Sequence, residues 1–291
     1  MSETTLQKYL SFTTALELQN RIRGFRSNNL HEMTEREILG EIESVFRVND
    51  KTDLHYAIYI ETYKIPKCTR FYRVRDLSQD DFNLPLKGMA MTADAWEPPT
   101  QFAVAQRINK AGESLLYTAL DPATAILEKN VQENTIFSLI VYESNEAINT
   151  IPIAAPVFPA ELTDEERIKY GLLVDFLSVE FGREHSDGLG HIYTLSNLIA
   201  KWFYNAPQEI QDAWQYVSTK TRTWRNICFR SDAAHQKLDL VGVIVCRYNE
   251  RNGDSFKIYP HYVLSDLFSN GILSEMPIVD VRHRFKEFNF G

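Results

Sequence analysis

Between residues 107 and 128 the chain encodes a turn, a strand and a capped helix in immediate succession, and no other stretch constrains the fold as tightly. Residues 109–112, Asn-Lys-Ala-Gly, are a turn signal, with Gly112 free to take a backbone conformation that side chains disfavour. Leu115–Ala119 is a short apolar run of strand type. Asp121 is a good helix N-cap, Pro122 stands at the favoured first helical position, and residues 123–129 continue as helix. This places Arg107 ahead of the turn, Tyr117 on the strand and Glu128 on the helix that follows it.

The flanking sequence extends this unit into an α+β pattern. Residues 69–75, 115–119, 136–142, 213–218 and 241–248 read as strands, the third by alternation of Ile136, Ser138, Ile140 and Tyr142 against Phe137, Leu139 and Val141. Apolar residues recur at loosely helical spacing from Leu6 to Ile22, and Thr34 with Glu37 is a capping box that opens a second helix. Residues 1–60 therefore read as a helical N-terminal region and residues 61–291 as a mixed domain. A further capping box, Thr163 with Glu166, leads into another helix, and Leu195, Leu198, Ile199, Trp202 and Phe203 follow amphipathic helical spacing. Strands interrupted by irregularly placed helices predict an α+β fold.

Composition narrows the class of protein. Hydrophobic residues make up 44% of the 291, enough for a sizeable core. A net charge of -8 argues against broad contact with nucleic acid or an anionic membrane, so any nucleic-acid contact would be confined to a local site. Cys68, Cys228 and Cys246 are odd in number and widely spaced, which predicts buried free thiols rather than disulfides or a zinc site. No apolar run reaches the length of a membrane span and the N-terminus carries no basic-then-apolar leader, so a cytoplasmic location is expected.

Phe71-Tyr72-Arg73-Val74-Arg75, the block from Arg107 to Glu128, Tyr216-Val217-Ser218, Asn226-Ile-Cys-Phe-Arg230 and Lys237-Leu-Asp-Leu240 together resemble the RES family, whose members are similar to the NAD-binding core of ADP-ribosyltransferase toxins. The block around Arg107 is similar to the family's Gly-Arg-Phe/Trp-Asn…Gly…Leu-Tyr-Leu-Ala…Ala…Glu pattern. The chain departs from the family at Gln106 and Ile108, where the family has glycine and an aromatic residue, and at Val217, which replaces the proline of the family's Tyr-Pro-Ser. The resemblance implies an ADP-ribosyltransferase-like mixed sheet and assigns the family's two arginines to Arg73 and Arg107. It further assigns the family's tyrosine to Tyr117, its glutamate to Glu128 and its serine to Ser218.

On that resemblance the expected activity is that of an intracellular NAD-consuming toxin or defence enzyme, a glycohydrolase or phosphorylase acting on the nicotinamide–ribose bond without a metal. Glu128 would supply negative charge beside an oxocarbenium-like ribose, and Arg73 and Arg107 would grip the pyrophosphate with guanidinium forks. Tyr117 would stack on a ring of the dinucleotide, and Ser218 would orient it. An antitoxin or inhibitor protein is the partner expected of such an enzyme. Two alternatives stay open: an ADP-ribosyltransferase acting on RNA or protein, suggested by Lys220, Arg222, Trp224, Arg225 and Arg230, and a noncatalytic module that binds NAD or ADP-ribose. His185, Asp187 and His191 lie in a glycine-broken stretch that does not have the spacing of a zinc helix.

Overall fold

The computed structural model describes residues 5–49, 54–56, 58–77, 82–155, 157–183, 190–221, 223, 225–252 and 255–288. Its helices are α1 (Thr5–Ser11), α2 (Ala15–Ser27), α3 (Glu35–Phe46), α4 (Pro122–Lys129), α5 (Asp164–Phe181), α6 (Gly190–Leu198), α7 (Ser231–Lys237) and α8 (Ile278–Arg284). Its strands are β1 (Arg47–Asn49), β2 (Leu54–Tyr56), β3 (Tyr63–Ile65), β4 (Arg70–Asp76), β5 (Leu115–Ala119), β6 (Ile136–Ser144), β7 (Ile148–Pro152), β8 (Ala213–Val217), β9 (Arg225–Arg230), β10 (Leu238–Asn252), β11 (Ser255–Ser265) and β12 (Ser274–Glu275). β1 and β2 form a small antiparallel pair, and the other ten strands form one open, mixed, mostly antiparallel sheet in the order β12-β11-β10-β6-β4-β5-β9-β8-β7-β3. The fold is α+β, with helices at the N-terminus.

Two compact units divide the chain, one of Met1–Tyr63, Val104–Glu113 and Ile151–Tyr216, the other of Lys64–Ala103, Ser114–Thr150 and Val217–Gly291. The first is mainly helical. The expected capping boxes are present at Thr34/Glu37 and Thr163/Glu166, and a third, which the sequence reading did not anticipate, at Thr14/Glu17, each satisfying helix N–H groups that have no partner inside the helix. The Thr14 box interrupts the N-terminal helical pattern and splits it into α1 and α2. The apolar faces of these helices are already covered within the unit: Phe25 meets Phe176 of α5 edge-on at 5.0 Å, and Phe46 lies 5.7 Å from Phe176 and 5.3 Å from Phe203. Leu18, Ile22, Ile38 and Ile42 are buried beside them.

The second unit holds β4, β5, β6, β9, β10 and β11. On one face of this sheet Tyr72, Val74, Ala119, Phe137, Leu139, Val141 and Ile244 pack with Ala125 and Ile126 of α4 and with Val281 and Phe285 at α8. Alternation along the strands puts Phe71, Arg73 and Arg75 on the opposite face. There Phe71 meets Phe229 of β9 edge-on at 5.1 Å. Arg70, which faces the α4 side, ties down the chain end by pairing with Glu143 and Glu287 and donating to the Arg284 carbonyl.

Among the described residues no helix is long and apolar enough to cross a membrane. Cys228 and Cys246 are buried free thiols, whereas Cys68 is exposed.

Candidate functional site

The block from Gly112 to Glu128 folds as its sequence predicts. Gly112 has φ +82°, β5 spans Leu115–Ala119, and the Asp121 carboxylate accepts the Thr124 N–H at 2.8 Å to cap α4. Asn130, in the left-handed conformation, ends the helix. Glu128 consequently stands in the last turn of α4, above β9. There the Asn226 Nδ2 donates to Glu128 Oε1 at 2.8 Å.

Sheet parity decides which residues share this face. β5 pairs with β9 in antiparallel register, Ala119 opposite Asn226 and Tyr117 opposite Cys228, so Tyr117, Asn226 and Glu128 belong to the α4 side. Tyr72 of β4 faces Ala119 and lies on that side too. Its burial raises the Tyr72 phenol to about 12.

The ladder between β4 and β5 is a single pair, Tyr72 with Ala119, while seven pairs join β4 to β6 and five join β5 to β9. Strands hydrogen-bonded at one position part beyond it. The sheet is therefore split between β4 and β5 along the segment where Val74 would otherwise face Tyr117. Half-buried Tyr117 lies on β5 alongside this split, on the same face of the sheet as the Asn226-held carboxylate.

Arg73 stands on β4 but on the other face. Its guanidinium donates to the carbonyls of Ala95, at 3.1 Å, and Trp96. The Tyr142 hydroxyl also donates to the Ala95 carbonyl, and Arg75 donates to that of Asp94 at 2.6 Å. Farther along, Ser114 donates to the Pro98 carbonyl, and Glu97 Oε1 accepts from the Ser231 hydroxyl and meets His235 Nε2 at 3.0 Å. Residues 94–98 are thus bound at several points to the Arg73 face of the unit. Trp96 lies 4.4 Å from the His235 ring and 5.3 Å from Tyr142. Complete burial raises the Tyr142 phenol to about 12.

Arg107 belongs to the helical unit, where it terminates α5. It donates to the Phe181 carbonyl and, at 3.2 Å, to that of Arg183, with its guanidinium 5.7 Å from the centre of the Phe181 ring. A cation at a helix C-terminus complements the dipole there. Ser218 follows β8 and is fully buried, its Oγ accepting the N–H groups of Lys220 and Thr221 at 3.2 Å each. Such a hydroxyl orders its own turn and is not positioned as an exposed nucleophile.

The structure thus brings Tyr117 and Glu128 onto one face, sets Arg73 on the opposite face and engages Arg107 at the end of a helix. Asn226 was present in the sequence pattern without an assigned role. Its signal is an amide directly preceding the apolar run Ile227-Cys228-Phe229, near the start of β9, where asparagine is disfavoured. Arg222, Trp224, His185 and Asp187 lie outside the described residues, as does the side chain of His191. Among the described residues no group of three or more His, Cys, Asp or Glu side chains is placed to hold a metal ion. No protein-family model, curated protein or solved structure matches the chain.

Proposed function

We propose that the β4–β5–α4–β9 region binds NAD and cleaves its nicotinamide–ribose bond, passing ADP-ribose to water or phosphate. The C–N bond breaks with its electron pair moving to the pyridinium nitrogen, which becomes neutral nicotinamide. An acceptor oxygen then adds to the ribose C1 and releases its proton to solvent. The pyridinium is already a good leaving group, so the protein must chiefly position the substrate and stabilise a cationic sugar.

The observation that carries this reading is the Glu128 carboxylate, held by Asn226 on the sheet face shared by Tyr117, beside the split between β4 and β5. A fixed negative charge is what an oxocarbenium-like ribose requires, and an aromatic side chain on the same face offers a planar ring a surface to stack on. The RES-like order of residues around these positions points the same way. Arg73 and Arg107 have structural partners of their own, and the reading does not depend on them.

An enzyme that consumes so general a cofactor inside a cell needs restraint, which is the place for an inhibitor protein. Incubation of the pure protein with NAD, with the products resolved, tests the reading. Free ADP-ribose or its phosphate ester, with nicotinamide, is the expected outcome. A modified RNA or protein would reassign the acceptor, and intact NAD that nevertheless binds would make the chain a binding module.

A further inference from the structure

We infer that Asn226 is a positioning residue for Glu128, an inference that rests on the NAD-cleaving reading of this face. The Glu128 carboxylate stands at the end of a two-turn helix, on a side chain with three rotatable bonds. In the absence of a partner it would sample many orientations. Asn226 restricts them: it is 4% exposed, sits on a central strand with Ala119 directly opposite, and donates Nδ2–H to Oε1 at 2.8 Å.

The choice of an amide has a chemical consequence. An amide N–H fixes one carboxylate oxygen without bringing a second formal charge, so the negative charge of Glu128 is left for the substrate. An arginine or lysine at this position would neutralise it, and an aspartate would repel it. Oε1 is occupied by the amide, and Oε2 is the oxygen left to meet the ribose, either at a hydroxyl or across from the developing charge on C1. Asn226 reaches that position from β9 and Glu128 from α4, so the hydrogen bond also fixes the helix end over the strand.

The test compares the parent with Asn226→Ala and Asn226→Asp for NAD cleavage over a range of pH, with thermal unfolding of each protein as a control for folding. In Asn226→Ala the carboxylate loses its anchor, and kcat is expected to fall at least ten-fold with KM changed less than three-fold (one factor of ten corresponds to about 1.4 kcal/mol). In Asn226→Asp two carboxyls face each other. Activity is then expected to recover as the pH is lowered and one shared proton restores a donor at position 226, giving a declining alkaline limb that the parent lacks.

A purely structural role would lower the unfolding temperature without altering the pH profile or separating kcat from KM, and that result overturns the inference. It is also overturned if Asn226→Ala retains parental kcat. Should Asn226→Ala fail to fold, the isosteric Asn226→Asp decides through its pH profile alone. A parent that leaves NAD intact overturns the reading of the site, and this inference with it, whereas an active parent with unaffected variants overturns only the role of Asn226.

Discussion

Arg73 and Tyr117 stand on neighbouring strands and point to opposite faces of the sheet. The relationship follows from one cross-strand pair: Tyr72 faces Ala119, so residues at odd offset from Tyr72 and even offset from Ala119 are separated by the sheet itself. Arg73 therefore meets the carbonyls of Ala95 and Trp96, while Tyr117 lies on the side of Asn226 and Glu128.

This separation distinguishes two substitutions. Arg73→Lys keeps the charge but cannot span two carbonyls with a planar fork, so it should lower stability by about 1–2 kcal/mol. Tyr117→Ala should instead raise KM for NAD with a smaller effect on stability. Urea unfolding and steady-state kinetics on both proteins check the pair. A KM change larger in Arg73→Lys than in Tyr117→Ala would place the substrate on the Arg73 face.

Glu128→Gln retains the shape of the side chain, and its amide oxygen still accepts the Asn226 Nδ2–H. Only the charge is removed. NAD turnover should fall about 100- to 1000-fold, as for loss of an electrostatic contact worth ~3–4 kcal/mol in the transition state. Product formation from NAD, together with an unchanged circular dichroism spectrum, tests this. Near-parental turnover would remove Glu128 from the mechanism.

The 107–128 block was legible in the sequence because each of its signals is local. Asp121 caps through its own backbone neighbours, Pro122 is compatible with a first helical turn, and Gly112 adopts a positive φ, so three short-range preferences agree. The third predicted strand likewise emerges as β6, running on to Ser144. What the sequence could not reveal was register. Whether Arg73 joins Tyr117 depends on a pairing across more than forty residues, and a shift of one position would have reversed the answer. Asn226 was hidden for the same reason, since its partner is 98 residues away. The apolar face of α1–α3 was visible, but its coverage by Phe176 and Phe203 is a tertiary fact.

Arg107→Lys addresses the end of α5. The parent guanidinium donates to two carbonyls and lies against the Phe181 ring, whereas a lysine ammonium offers a point charge without the planar fork. Stability should fall by about 1 kcal/mol. Hydrogen exchange should quicken most at the C-terminal turn of α5. A variant with parental stability and exchange would show that the guanidinium does not hold that turn, freeing Arg107 for a ligand.

Tyr142 makes a prediction about alkaline pH. Burial raises its phenol from 10.0 to about 12, so the folded protein retains the proton where the unfolded chain releases it. The sign follows from linkage: the unfolded state binds fewer protons than the folded state between these values, so stability is fully present below pH 10 and declines as the pH rises towards 12. Tyr9, Tyr72 and Tyr170 are raised to about 12 by burial as well, and their contributions add to the slope. Urea unfolding at stepped pH, followed by phenolate absorbance, should show unfolding and tyrosine ionisation occurring together. Tyr142→Phe should begin less stable, having lost its bond to the Ala95 carbonyl, and should then lose stability less steeply with pH. Equal slopes for parent and variant would mean that the Tyr142 phenol ionises without unfolding, and hence that the segment over the Arg73 face opens independently of the sheet.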